Sequence, residues 1–185
     1  MTTKRLLRQQ LKAHRAQLTQ ADVTEASSQA SQHLLHSTVY QASQHVACYC
    51  AINNEISCAT IIQRAFLDKK HVYLPVITDH HMCFVEYKEP DSLHQNGYGI
   101  LEPKDNGINR KPQDIDLIVA PLVGFDAEGR RLGMGGGYYD SALQNKTHLY
   151  LCGLAYTFQE VKCIPNDDWD VRLDAVVTEQ GMRCF

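Results

Sequence analysis

The chain alternates between amphipathic stretches that are typical of helices and short apolar runs that are typical of strands. Apolar residues recur at three- and four-residue steps over residues 3–18 and 19–36, and a shorter helix is predicted over residues 58–67. β-branched runs bounded by turn-forming residues predict strands at residues 45–52, 72–75, 82–87, 116–122, 148–155 and 175–178, the last of these being the final strand. This alternation predicts a three-layer α/β/α sandwich with a mixed, mainly parallel, Rossmann-like sheet.

The first predicted helix carries two stripes. The apolar stripe consists of Leu7, Leu11, His14 and Leu18. At about 100° per residue, a basic stripe lies beside it and consists of Lys4, Arg8 and Arg15. Burial of the leucines would therefore set the cations at the rim of the surface on which the helix packs. The cations are either solvated charges or part of a binding site, and the spacing supports both readings equally.

Local signals predict where two other helices begin. Thr19 is followed three residues later by Asp22, which indicates a capping box at the start of the second helix. Ser57 is expected to cap the helix over residues 58–67. Polar residues over 104–113, and the run from Asp79 to His81, are interpreted as connections.

A glycine-rich stretch, GFDAEGRRLGMGGGYYD over residues 124–140, lies between the strand at 116–122 and a short predicted helix at 138–143. Glycines allow positive φ and let a phosphate approach the backbone, while a helix start presents unpaired N–H groups to an anion. Arg130 and Arg131 add positive charge, and Asp126 and Asp140 are carboxylates that could hold a divalent metal against phosphate oxygens. The stretch predicts a nucleoside triphosphate site.

Two familiar phosphate-binding motifs do not match this stretch. A Walker loop requires Lys followed by Ser or Thr after its last glycine, but Tyr138 and Tyr139 stand there. The dinucleotide fingerprint also fails, because its third glycine would fall at Tyr138. A glycine-rich turn without a ligand is the alternative, and its backbone entropy cost makes it the weaker one.

Composition limits the possible classes of protein. A chain of 185 residues fits one domain, and its net charge of −3 gives no general attraction to nucleic acid or to an anionic membrane. Seven cysteines without a C-x-x-C pair argue against a disulfide framework and a zinc site. No apolar run is long enough to span a bilayer and no signal peptide is recognised, so we expect a reduced, cytoplasmic setting.

The run RLGMGGGYYD over residues 131–140, preceded by Gly124-Phe-Asp126, resembles the signature of the 5-formyltetrahydrofolate cyclo-ligase family. The resemblance extends over essentially the whole chain and implies a single domain over residues 1–185, with the helix at 3–18 packed on it. Met134 departs from the family pattern, in which Tyr or Arg is common. The resemblance implies conversion of 5-formyltetrahydrofolate to 5,10-methenyltetrahydrofolate, with ATP hydrolysed to ADP and phosphate. It also implies a magnesium ion, a reduced folate as partner and a monomer.

The same resemblance implies three groups of site residues. ATP would be bound by Lys4, Arg8, Arg131, Leu132, Gly133, Met134, Gly135, Gly136, Gly137, Tyr138 and Tyr139. The folate would be bound by Cys50, Glu55, Tyr98, Met134, Gly135, Gly136, Gly137 and Tyr138. Magnesium would be bound by Asp140 and Asp170, with Asp167, Asp168 and Asp174 as alternatives to the second. From the residues alone, a surface charge is the favoured interpretation of Glu55, and Tyr98 could equally be loop packing.

The implied reaction calls for little acid–base chemistry by the protein. The formyl oxygen would attack the γ-phosphate, and N10 would then close on the activated carbon as phosphate departs. Positioning and charge neutralisation carry such phosphoryl transfer, which agrees with the absence of an obvious nucleophile in the motifs. Other hypotheses are a noncatalytic nucleotide- or folate-binding protein and a sugar-phosphate isomerase on a similar fold. An RNA-binding module is the weakest of the hypotheses.

Overall fold

The computed structural model describes residues 3–78, 81–89, 91–104, 109–144, 146 and 148–185, without the side chain of Asn109. Residues 79 and 80 of the connection predicted from Asp79 to His81 lie outside this part of the chain, as do residues 105–108 of the one predicted over 104–113. The rest of these predictions was partly wrong, because His81 begins a strand and Asn109–Arg110 form another. Among the described residues no helix combines the length and apolar character that crossing a bilayer would require.

The described helices and strands follow the predicted alternation and add several short elements. The helices are α1 (Lys4–Arg15), α2 (Gln20–Leu35), α3 (Thr38–Ala42), α4 (Ala59–Leu67) and α5 (Tyr138–Leu143). The first six strands are β1 (His45–Ala47), β2 (His71–Thr78), β3 (His81–Tyr87), β4 (Leu93–Gln95), β5 (Leu101–Pro103) and β6 (Asn109–Arg110). The other six are β7 (Leu117–Pro121), β8 (Gly124–Phe125), β9 (Arg131–Leu132), β10 (Tyr150–Leu154), β11 (Ala175–Thr178) and β12 (Gly181–Cys184).

One mixed sheet organises the fold, in the strand order β12-β11-β10-β7-β1-β2-β3-β6. The five strands from β11 to β2 in that order are mutually parallel, and antiparallel strands extend the sheet at both edges. The predicted α/β fold with a mainly parallel sheet is therefore confirmed. The prediction that the strand at 175–178 is final was wrong, because β12 pairs with it. The residues of β12 are partly or largely exposed, so this edge strand lacks a hydrophobic pattern.

The two faces of the sheet carry separate apolar clusters, because side chains alternate along buried strands. On β7, Leu117 and Val119 face the cluster that receives α2 and α4, whereas Ile118 and Ala120 face the opposite cluster. The opposite cluster includes residues of β8 and α5. The sheet therefore lies between two covering layers.

Helix α1 packs at the edge of the domain on a third apolar cluster. Leu7 and Leu11 are buried there against Val123, Leu132 and Ile164. His14, predicted on the same stripe, is exposed and lies against the ring of Phe158, with 4.0 Å between ring centroids. Half-buried Leu18 lies beyond the end of the helix.

The prediction that the whole basic stripe lies at the rim was wrong for Arg15. Its side chain is buried, and its Nη1 lies 3.5 Å from Oε1 of the buried Glu55. Arg15 follows Leu7 and Leu11 at four-residue steps, so it shares their buried face. The buried carboxylate provides the partner that a charge in this position requires.

The predicted capping box of α2 is confirmed, because Thr19 and Asp22 hydrogen-bond reciprocally. The prediction for α4 was wrong by one residue. Cys58 is the cap residue and makes no side-chain capping bond, while the Ser57 hydroxyl accepts a hydrogen bond from the N–H of Ala59.

Candidate active site

A cavity of about 350 Å³ opens at the edge of the sheet where the parallel strands end. Tyr49 and Cys50, just beyond β1, line it together with Pro121 at the end of β7 and Pro75 of β2. Ligands of open α/β sheets characteristically bind at the carboxyl ends of the strands. The cavity occupies that position.

The structure brings nearly all the predicted site residues to this one cavity. Those lining it are Lys4, Arg8, Cys50, Glu55, residues 131–139, Asp140 and Asp170. Tyr98 is exposed, but its hydroxyl lies 2.6 Å from that of Tyr138, which does line the cavity. The two rings meet edge to face with their centroids 6.0 Å apart. This contact joins the β4–β5 turn to the residues that follow the glycines.

The glycine loop, defined as residues 133–137, has a backbone that only glycine adopts readily. Gly135 and Gly137 have φ values of +113° and +70°. A Cβ atom on Gly136 would lie only 2.8 Å from Cε2 of Tyr138. In the described part of the chain, the backbone N–H groups of residues 134–137 donate to no protein acceptor. Donors are thus free on the loop for a ligand.

Arg8 reaches the glycine loop from α1. Its Nε donates a 2.8 Å hydrogen bond to the carbonyl oxygen of Gly133. Its guanidinium carbon would lie 3.7 Å from a Cβ atom at Gly135, so the charged group runs alongside the loop. The side chain of Arg8 therefore connects the first helix to the glycine loop.

Lys4, at the start of α1, is bound to the segment of residues 167–170, named here the acidic segment. Its Nζ donates to Oδ2 of Asp167 and to Oδ2 of Asp170, each at 2.7 Å. Burial opposes the charge of Lys4, but the two hydrogen bonds outweigh it and raise its pKa. Burial acts against ionisation of Asp170 also, and the hydrogen bond from Lys4 outweighs it and lowers the pKa of this carboxyl.

Arg131 and Asp140 form a second tether between the loop and the segment beyond it. The Nη2 of buried Arg131 donates to Oδ1 of Asp140 at 2.6 Å, and its Nη1 donates to the carbonyl oxygen of Val171. The same Asp140 oxygen accepts from the N–H of Val171. Burial lowers the pKa of Arg131, and Asp140 opposes that shift. The guanidinium is therefore held in a fixed position at the cavity wall.

Asp140 and Asp170 have the chemistry that a magnesium site needs. Asp140 is engaged through Oδ1 and Asp170 through Oδ2, which leaves the second oxygen of each without a hydrogen bond from any described residue. Magnesium commonly takes one or two carboxylates together with phosphate oxygens and water. The described residues contain no group of three or more His, Cys, Asp or Glu side chains suited to a metal. Each carboxylate could therefore offer one oxygen to an ion that a phosphate also binds.

The other candidate carboxylates are placed differently. Asp126 is buried away from the cavity and accepts hydrogen bonds from the N–H groups of Glu128, Arg130 and Ile164, so it shapes the β8–β9 turn. Asp167 lines the cavity, whereas Asp168 and Asp174 do not. Asp174 accepts from the N–H of Leu151 instead.

Glu55 is a buried carboxylate rather than a surface charge. It follows two residues with positive φ, Asn53 and Asn54, which bring the chain back toward the cavity. Its Oε2 accepts from the N–H of Ile52, and its Oε1 faces Arg15. Burial raises its pKa, while Arg15 opposes the shift.

Two further side chains that line the cavity are strongly desolvated. Burial raises the pKa of Cys50 to about 11, which keeps this cavity-lining thiol protonated at neutral pH. Burial also raises the pKa of Tyr139, whose hydroxyl has no hydrogen-bond partner among the described residues. The wall in this region is therefore apolar with isolated polar atoms.

Several cavity residues were not predicted as site residues. They are Tyr49, Ile52, Pro75, Ile77, Met82, Asn96, Ile100, Glu102, Pro121 and Trp169. Most are apolar strand or loop residues that resemble ordinary core positions in the sequence. Two carried a usable signal, since Trp169 is the only tryptophan and stands in an acidic run, and Glu102 interrupts an apolar strand.

The chain matches one protein family over nearly its whole length. The model of the 5-formyltetrahydrofolate cyclo-ligase family matches residues 1–179. A Haemophilus influenzae protein named 5-formyltetrahydrofolate cyclo-ligase is 38% identical over 173 residues, which cover 90% of this chain and 92% of that protein.

Two solved structures are similar over nearly their full lengths. The 5,10-methenyltetrahydrofolate synthetase of Aquifex aeolicus has a TM-score of 0.86 and 32% identity, covering 98% of this chain and 92% of that one. The Mycoplasma pneumoniae synthetase has a TM-score of 0.79 and 25% identity, covering 96% and 99%.

Proposed function

The chain belongs to the 5-formyltetrahydrofolate cyclo-ligase family, and from this premise we propose how its own residues carry out the family's reaction. It is a 5-formyltetrahydrofolate cyclo-ligase that uses ATP to cyclise 5-formyltetrahydrofolate to 5,10-methenyltetrahydrofolate. The remaining questions are how the formyl group is activated and which residues hold each substrate.

The formyl oxygen needs activation because a formamide oxygen is a poor leaving group. In the proposed first step this oxygen attacks the γ-phosphorus of ATP, the bond from phosphorus to the β-bridging oxygen breaks, and ADP leaves. N10 then adds to the phosphorylated formyl carbon and loses its proton. The carbon–oxygen bond breaks last, so phosphate carries the former formyl oxygen away and leaves the methenyl bridge.

Main-chain and basic groups would hold the phosphates of ATP. The free N–H groups of residues 134–137 can donate to phosphate oxygens, and Arg8 and Lys4 lie at the same cavity. Positioning and charge neutralisation carry phosphoryl transfer, so no protein nucleophile is required. Arg131, already bonded to Asp140, would fix the loop rather than bind phosphate through that nitrogen.

Magnesium would be held by Asp140 and Asp170, each of which has one carboxylate oxygen that accepts no hydrogen bond from a described residue. When bound, the ion would neutralise charge on phosphate oxygens. The role of this chain would be to orient the two carboxylates through Arg131 and Lys4.

The folate would bind against Cys50, Glu55 and the aromatic pair of Tyr98 and Tyr138. Glu55 can accept hydrogen bonds from N–H groups of the reduced pterin. The exposed ring of Tyr98, fixed by Tyr138, offers a face for stacking at the entrance. We place the enzyme in the cytoplasm as a monomer, and the free cysteines support a reducing compartment.

One observation carries these assignments: the free loop amides, the two tethered carboxylates and the buried Glu55 all border one cavity. The test mixes the protein with ATP, magnesium and 5-formyltetrahydrofolate and follows the near-ultraviolet absorbance of the methenyl product. We expect product only when ATP is present, and loss of turnover in excess chelator. Turnover of a sugar phosphate without ATP would favour the isomerase hypothesis. Full activity in excess chelator would show that the reaction needs no magnesium.

A further inference from the structure

Glu102 is a second buried carboxylate in the wall of the active-site cavity. It lies on β5, has only 5% of its surface exposed, and lines the cavity near Ile77 and Ile100. Burying a carboxylate is costly unless hydrogen bonds or opposite charges compensate it. Its surroundings therefore indicate what this carboxylate is for.

The protein compensates only part of the cost of burying the Glu102 carboxylate. Its Oε2 accepts from Nδ2 of Asn96 at 2.8 Å and from the N–H of Ile77 at a long 3.4 Å. Its Oε1 lies 3.6 Å from Nε2 of His94, and no Lys or Arg of the described chain forms an ion pair with it. Glu55 differs, because a buried arginine accompanies it. Glu102 thus has acceptor capacity left for a ligand.

Asn96 orients this carboxylate. Its Oδ1 accepts from the N–H groups of Tyr98 and Ile100, so the amide cannot rotate without losing both bonds. The remaining Nδ2 group is directed at Glu102. The β4–β5 turn therefore holds one carboxylate of the cavity in place, and Asn96 acts as a positioning residue.

We propose that Glu102 recognises the pterin ring of 5-formyltetrahydrofolate by accepting hydrogen bonds from its 2-amino group and N3–H. This inference rests on the proposed function. Phosphates and the glutamate tail of folate are anions and would be repelled by a carboxylate. The two ring donors are adjacent, so both can reach the carboxylate, whose Oε1 accepts no hydrogen bond from a described residue. Adenine presents its amino group beside an acceptor nitrogen and matches a carboxylate less well.

The test compares Glu102→Gln with the unmodified protein by titration calorimetry, using ATP and 5-formyltetrahydrofolate separately. Charged hydrogen bonds of this kind correspond to about a 10- to 150-fold loss of affinity. We expect the dissociation constant for the folate to rise by this factor and that for ATP to stay within about twofold. The matched control is Glu86→Gln, since Glu86 also faces a histidine, His71, but lies outside the cavity.

A substrate analogue with a methyl group in place of the 2-amino group provides an independent test of this inference. The unmodified protein should bind it about tenfold or more weakly than the substrate, and Glu102→Gln should largely remove this difference. Equal affinity of the unmodified protein for both compounds would overturn the inference, as would a difference that survives in Glu102→Gln. Glu102→Asp, which withdraws the carboxylate, replaces the glutamine variant if that one does not fold.

The outcome separates this inference from the proposed function. If the unmodified protein cyclises 5-formyltetrahydrofolate with ATP but folded Glu102→Gln keeps its folate affinity, only the inference fails. A parallel loss of ATP affinity in Glu102→Gln would also overturn it, because the residue would then support the site as a whole. Absence of cyclisation by the unmodified protein would instead contradict the proposed function.

Discussion

Single residues of the glycine loop are glycine for different reasons. Gly135 and Gly137 need glycine for their positive φ values. Gly136 has no such requirement, and it is restricted by the ring of Tyr138. A substitution at Gly136 therefore tests the loop geometry without forcing a side chain into a positive-φ conformation.

Gly136→Val should lower ATP-dependent turnover by at least about 100-fold, because it displaces Tyr138 and covers the loop amides. The exposed position of the loop should leave the melting temperature nearly unchanged. Steady-state turnover and thermal unfolding measure the two effects. The control is Ala127→Val, at an exposed residue of the β8–β9 turn that does not line the cavity. Normal turnover of Gly136→Val would count against the loop as a phosphate cradle.

At the scale of secondary-structure elements, α1 connects the N-terminal residues to the site. Leu7 and Leu11 pack in an apolar cluster. Arg8 donates a hydrogen bond to the Gly133 carbonyl, and Lys4 donates to carboxylates of the acidic segment. Lys4 and Arg8 therefore reach the cavity because the leucines on the neighbouring face of the helix are buried. The basic stripe is thus part of the site, apart from Arg15, which is buried with Glu55.

Arg8→Ala should raise KM for ATP by roughly tenfold or more, and should raise KM for the folate less. The reason is that Arg8 lies alongside the loop assigned to phosphate. The matched control is Arg5→Ala, because Arg5 is an exposed residue of the same helix and does not line the cavity. A larger rise in KM for the folate than for ATP would indicate that α1 binds the folate instead.

Elements that depend on neighbouring residues were predicted well, whereas features that depend on distant parts of the chain were missed. The capping box at Thr19 and the helix after the glycines depend on neighbouring residues, and both were predictable. β12 was missed because an edge strand needs no hydrophobic pattern. The role of Arg15 depends on Glu55, forty residues away along the chain, and spacing within one helix cannot reveal such a partner.

At the scale of the whole molecule, the site is assembled from segments far apart in sequence. The start of α1, the turn after β1, the β4–β5 turn, the glycine loop and the acidic segment all border one cavity. Motif spacing identified the glycine loop, but it did not place Glu102 at the cavity, because that position depends on the packing of β5 beside β2. The sheet edge is what brings these segments together.

The transfer of the formyl oxygen to phosphate tests the account most directly. The substrate is 5-formyltetrahydrofolate labelled with a heavy oxygen isotope in the formyl group, and the released phosphate is analysed by mass spectrometry. We predict that each phosphate formed with methenyl product carries one labelled oxygen, because that oxygen attacks the γ-phosphorus. Unlabelled phosphate released alongside methenyl product would contradict the account, since water would then have been the acceptor of the phosphoryl group.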